Sequence, residues 1–125
     1  MNLLLDTHVF LWWLEGSRDL SEAARQAISD PENTVYVSAA CYWEIAIKQG
    51  RGQLRAPSNL IALSDESGFV ELPINAVHAL AVGDLPRLHA DPFDRILIAQ
   101  TQIENLTLVT RDAQVSRYEV ETIRA

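Results

Sequence analysis

The sequence has one cysteine, Cys41. No internal disulfide can form and no thiolate cage can hold a metal, so this thiol reads as packed and inert. It has one lysine, Lys48, all other basic residues being arginine, against 17 acidic residues, for a net charge of −7. That balance excludes a protein that coats nucleic acid through bulk electrostatics. It leaves room for a nucleic-acid enzyme, because a carboxylate site built for divalent cations adds negative charge of its own. No apolar run approaches the roughly 20 residues needed to cross a bilayer. No basic segment precedes Leu3-Leu4-Leu5, as a signal peptide would require. With 48% apolar residues over 125 positions, and no repeat, linker or low-complexity stretch, the expectation is one domain over residues 1–125, cytoplasmic and away from membranes.

What is present is an alternation of strand and helix signals. Asn2–Leu5 is a short apolar run that reads as a buried strand. A helical pattern then runs from Thr7 to Gly16, and a second helix opens at Ser21-Glu22 and continues to about Ile28. Asp30-Pro31-Glu32-Asn33 is a turn, Val35–Val37 a strand, and Ser38 caps a helix to Gly50. A helix is expected from Pro57-Ser58 through Leu63, a strand over Phe69–Leu72, and a capped helix from Pro73-Ile74-Asn75 to Val82. A loop over 83–90 leads to a helix that Asp91 caps and Pro92 enters at its first position, ending near Glu104. Thr107–Thr110 is a strand, and Val120–Ile123 offers a last edge strand. This order implies an α/β fold with a mainly parallel sheet, in which ligands bind beyond the carboxyl ends of the strands.

Four acids can meet there: Asp6 and Asp112 just after strands, Glu44 in the Ser38 helix, and Asp94 in the first turn after Asp91. Each has an ordinary role as well. Asp6 and Asp112 can cap helices, Glu44 can pair with Lys48 one turn on, and Asp94 suits the positive end of the helix dipole. That dipole is expected to favour the ionised form of Asp94. Glu44, however, lies between Trp43 and Ile45 on a helix with apolar neighbours, so its carboxylate is expected to face inward and to need a partner or a metal. Carboxylates sharing a cleft cannot all stay ionised without cations, and an all-oxygen ligand set suits Mg²⁺ or Mn²⁺.

Leu4-Leu5-Asp6-Thr7-His8, Ser38 with Glu44-Ile45 and Lys48, His89-Ala90-Asp91-Pro92-Phe93-Asp94-Arg95 with Leu97–Gln100, and Leu108–Asp112 stand in one order along the chain. In these four blocks the sequence resembles the PIN domain, most of all the VapC-type ribonuclease toxins of prokaryotic toxin–antitoxin pairs, from Asn2 to the C-terminus. The resemblance implies a five-stranded parallel sheet between helices and a Mg²⁺- or Mn²⁺-dependent endoribonuclease acting on RNA. By position, Asp6, Glu44, Asp94 and Asp112 are the metal-binding acids. Asp91 is the helix cap, and Thr7 and Ser38 orient the carboxylates. The resemblance also implies a homodimer or higher complex and a small cognate antitoxin that blocks the cleft.

Other residues draw plainer readings. Hard cations prefer oxygen, which argues against His8 as a ligand. His89 is expected to shape the loop before Asp91, and His78 to be an ordinary helix position. Trp12, Trp13, Tyr42 and Trp43 suit core or subunit contact better than base stacking. Lys48, Arg51 and Arg55 are the expected RNA phosphate contacts, with Arg95 and Arg111 next. Two alternatives stay open on the residues alone: a catalytically silent PIN-type binding module, and a receiver-like phosphoacceptor domain.

Overall fold

The computed structural model describes Met1–Ala125. Five strands, β1 (Asn2–Leu5), β2 (Thr34–Ser38), β3 (Val70–Leu72), β4 (Thr107–Thr110) and β5 (Glu121–Arg124), form one sheet in the order β3-β2-β1-β4-β5. Every neighbouring pair is parallel. Leu3, Leu4 and Leu5 are all fully buried although successive side chains in a strand point to opposite faces, so both faces of the sheet centre are covered. The covering layers are helices: α1 (Thr7–Glu15), α2 (Glu22–Ser29), α3 (Ala39–Gly50), α4 (Leu60–Glu66), α5 (Ala76–Ala81) and α6 (Pro92–Ile103). None is long and apolar enough to cross a membrane. The architecture is the expected three-layer α/β fold, with a sheet that is wholly parallel.

The chain winds outward from β1 through β2 to β3, then returns to add β4 on the other side of β1 and β5 beyond it. The winding therefore reverses between β1 and β4. That reversal opens a crevice at their carboxyl ends, the usual ligand position in such sheets. Local chemistry fixes the helices that flank it. The Asp6 carboxylate accepts from Val9 N–H to start α1, and Gly16, at φ 62°, stops it in the left-handed conformation that suits glycine. Ser38 caps α3 through Ala40 N–H, and Asp91 with Pro92 starts α6. Cys41 is buried in α3 with its thiol pushed up to about 12 by burial, which makes it the inert packed group expected.

Several expectations are corrected. The fourth helix begins at Leu60 rather than Pro57 and continues to Glu66, because residues 58 and 59 form a turn and Asn59 makes no side-chain cap bond. The segment after α5 holds a single 3-10 turn, Val82–Asp84, before the loop proper. The last strand begins at Glu121, one residue later than expected, and ends at Arg124. His78 is not an ordinary helix position: it is 1% exposed. Its Nδ1 accepts from Asn75 N–H while Asn75 Oδ1 accepts from His78 N–H, a reciprocal cap in which histidine replaces the usual Glu or Gln.

Arg95, expected as an RNA contact, is instead an internal tie. Its guanidinium donates to the carbonyls of Val82 (3.0 Å), Pro86 (2.9 Å), Leu85 (3.4 Å) and His89 (3.5 Å), and to the Tyr118 hydroxyl (3.1 Å). A planar fork with five donors can hold an irregular loop in this way, and its donors are then not free for phosphate. Arg95→Ala should therefore lower stability by about 2–3 kcal/mol in urea unfolding, whereas Arg51→Ala, at an exposed loop position, should stay within about 0.5 kcal/mol.

Candidate active site

Each acid reaches the crevice from a different element, and most are fixed by the ordinary role that the sequence also allowed. Asp6, at the end of β1, accepts at Oδ1 from the N–H of Val9 at 2.9 Å. Asp112, beyond β4, accepts at Oδ1 from the N–H of Gln114 at 2.9 Å, while its own N–H donates to Thr110 Oγ1. Asp91 accepts from the N–H groups of Phe93 (2.9 Å) and Asp94 (3.2 Å). These backbone bonds fix the carboxylate rotamers of Asp6 and Asp112 at the crevice. Glu44 is 5% exposed, as its apolar neighbours required. Its Oε1 accepts from the Thr7 hydroxyl and its Oε2 pairs with Lys48.

These side chains line one small cavity of about 110 Å³, with walls from Asp6, Thr7, His8, Glu44, Lys48, Asp91, Asp94 and Asp112 and no apolar residue. All four expected acids are present, with Thr7 and the Asp91 cap beside them. Two open grooves share its walls. One, of about 340 Å³, runs past Lys48, Gln53 and Leu54; the other, of about 270 Å³, runs past Trp12 and Arg111. The largest depression, about 630 Å³, lies at the amino ends of the strands among Met1, Asn2, Asn105 and Glu121. Size is a poor guide here, since the convergent titratable groups are at the other end of the sheet.

Crowding shows in the acidities. The Asp94 carboxyl is pushed up to about 8, first by burial, then by the charge of Asp91, a hydrogen bond with Asp112, and the charges of Asp112 and Asp6. The dipole of α6 was expected to favour the ionised form; burial and neighbouring carboxylates outweigh it. The Asp6 carboxyl is also raised, by burial and more weakly by Glu44, although Thr110, the Val9 N–H and His8 pull the other way. Lys48 is held above its ordinary value chiefly by its bond to Glu44, with the charges of Glu44, Asp91 and Asp94 adding to it against a burial penalty. One lysine thus faces several carboxylates, and the cavity keeps unbalanced negative charge.

The remaining expected residues fall outside this wall. Ser38 is fully buried and its hydroxyl caps α3 at Ala40 N–H (3.0 Å), so it positions Glu44 only by starting its helix. Arg51 and Arg55 are exposed in the segment after α3 and do not line the cavity. Arg111 lies over the Trp12 ring at 4.4 Å and donates to the Ala125 carbonyl, beside Asp6 and Asp112 in the second groove. Trp13 packs on Phe69 and Tyr42 on Phe10, as core partners. Trp43 is 56% exposed and stands edge-on to Phe93.

His89 does more than shape a loop. Its Nε2 lies 3.5 Å from Asp94 Oδ2 and its Nδ1 2.8 Å from the Tyr118 hydroxyl. Its position five residues before Asp94 was visible in the sequence; the partner Tyr118, 29 positions on, was not. A receiver-like domain would bring its lysine from the end of a core strand. The lysine at this cavity comes from α3.

The sequence matches the PIN domain family over residues 3–121. It is 34% identical to ribonuclease VapC22 of Mycobacterium tuberculosis over 117 residues, covering 90% of this chain and 88% of that protein. The fold is similar to the crystal structure of VapBC2 from Rickettsia felis bound to a promoter DNA fragment, with a TM-score of 0.72, 16% identity, and 99% of this chain and 98% of that one covered. It is also similar to DNA-bound VapBC from Salmonella typhimurium, at a TM-score of 0.71 and 15% identity with 99% and 98% coverage. A member of the VapBC family of toxin–antitoxin systems, VapBC-5 from Mycobacterium tuberculosis, matches at 0.61 and 17% identity with the same coverage. On a match of that extent and a relative of that identity, the chain belongs to the PIN-domain family.

Proposed function

We propose that this protein is the ribonuclease toxin of a type II toxin–antitoxin pair, a divalent-metal-dependent endoribonuclease that hydrolyses RNA phosphodiester bonds and is blocked by a small antitoxin. The observation that carries the reading is the convergence of Asp6, Glu44, Asp94 and Asp112, from four elements, on one polar cavity. The likeness to ribonuclease VapC22 and to VapBC assemblies supports the substrate class and the partner.

The donor set fits a hard divalent cation. Its candidate donors are mainly carboxylate oxygens, it carries more negative than positive charge, and burial and the neighbouring carboxylates raise the Asp94 carboxyl. Asp6, Asp94 and Asp112, with Glu44 behind them, would hold Mg²⁺ or Mn²⁺. Bound there, such an ion supplies charge neutralisation at the scissile phosphate and a more acidic water. The chain's own residues do the rest. The caps at Asp6, Asp91 and Asp112 keep the carboxylates aimed inward before any ion arrives. Thr7 holds one oxygen of Glu44 and Lys48 the other, which limits the rotation of that side chain. Lys48 and Arg111 flank the cavity in the two grooves and offer cationic contacts to the neighbouring phosphates of an RNA strand. Exposed apolar side chains on α4 and α5, namely Ile61, Val77 and Leu80, offer area for a subunit or antitoxin contact.

Asp94→Asn should reduce Mn²⁺-dependent RNA cleavage by at least about 10²-fold while the circular dichroism spectrum is kept. Full cleavage by that variant, or by the parent in excess EDTA, overturns the assignment. Thr7→Val should reduce cleavage about 10–100-fold through loss of its bond to Glu44. The metal-free protein should also show a pH signature. A carboxyl whose folded-state value lies above its unfolded one keeps its proton in the fold, so the associated stability is complete below the ordinary 3.8 and lost as pH climbs through about 8. In EDTA the Tm should therefore fall from mildly acidic pH towards pH 8, with Asp94→Asn flattening the slope and Mn²⁺ restoring stability at the alkaline end.

A further inference from the structure

We infer that His89 is a positioning residue for Asp94, locked as the Nε2–H tautomer by a hydrogen-bond relay that starts at Arg95 and passes through Tyr118. The functional part of this inference rests on the proposed role of Asp94 in binding a cation. The tautomer does not.

The direction of the relay follows from which atoms can donate. Arg95 Nη1 donates to the Tyr118 hydroxyl at 3.1 Å, and a guanidinium cannot accept in return. The phenol therefore directs its own hydrogen elsewhere. Tyr118 is a buried residue, and the other partner of its hydroxyl is Nδ1 of His89 at 2.8 Å. A ring nitrogen that accepts carries no proton, so the hydrogen of the neutral imidazole sits on Nε2. Nε2 is buried, has no hydrogen-bond partner, and stands 3.5 Å from Asp94 Oδ2. That separation is long for a hydrogen bond, and it is of the kind that tightens when a ligand draws the carboxylate into its working position.

The same tautomer settles a second question. His89, Asp94 and Asp112 offer ligand atoms that all lie within 4.8 Å of one another, so distance alone would allow His89 to bind the cation directly. A nitrogen bearing hydrogen has no lone pair to give. His89 therefore holds the rim of the Asp94 carboxylate and leaves cation binding to oxygen. Arg95, the source of the relay, is itself fixed by the carbonyls of Val82 and Pro86, which ties the setting of Asp94 to the loop before α6.

Long-range nitrogen–proton correlation NMR on the full metal-free chain, at about pH 8 where an ordinary imidazole is neutral, reads the tautomer directly. The expected pattern for His89 is Nε2–H; an Nδ1–H or doubly protonated ring overturns the inference. Tyr118→Phe should lose the lock and show a mixed or Nδ1–H ring, and an unchanged pattern overturns the relay. In Mn²⁺ titrations, His89→Leu should weaken binding about 10–100-fold, and His89→Gln, whose amide N–H can stand where Nε2–H stood, should recover to within about threefold of the parent. Equal loss in both variants, or none in either, overturns the positioning role. If the parent itself binds no Mn²⁺, the nuclease reading fails, while the tautomer pattern still decides the relay.

Discussion

Because β1 and β4 pair in parallel, with Leu5 opposite Val109, the two segments leave the sheet side by side in the same direction. The N–H of Asp6 extends that ladder by one bond, to the Val109 carbonyl at 3.1 Å. Asp6 is thereby fixed next to the segment that carries Asp112. The other parts of the site join this pair: α3 brings Glu44 and α6 brings Asp94 to the same cavity. Antiparallel pairing of the same strands would send their ends to opposite edges of the sheet and separate the acids.

The site also shows how a small fold gathers negative charge in one place. Asp6, Asp91 and Asp112 each accept backbone N–H groups at the start of a helix or turn, so the interaction that aims the carboxylate also starts the local structure. Lys48 offsets part of the charge through Glu44. Asp94 accepts no backbone N–H of this kind, and burial together with the charges of Asp91, Asp112 and Asp6 pushes its carboxyl up to about 8. Burial raises the carboxyls of both Asp94 and Asp6, so gathering these acids in one cavity works against their ionisation.

Arg95 illustrates why residue type alone misleads. In a chain with one lysine and many arginines, an arginine beside an acid of the candidate site invites a phosphate-binding reading. Here its donors are directed at backbone carbonyls and a phenol, because the loop from Val82 to His89 has few other ways to satisfy them. The shape of that loop and the setting of His89 then depend on the same side chain.

The sequence by itself determined the strand and helix order, the caps at Asp6, Ser38 and Asp91, and the four acids, because these depend on short-range rules: apolar periodicity, N-cap chemistry, and a carboxylate that has to face inward among apolar neighbours. It missed the start of α4 and the reciprocal cap at His78, where the deciding bonds involve a turn or a residue outside the usual pattern. Only the tertiary structure decided which arginines are free and that His89, Tyr118 and Arg95 form one relay. The reason is physical. Those properties depend on hydrogen bonds between groups up to 29 residues apart, whose partners are brought together by the winding of the sheet and leave no periodic trace in the chain.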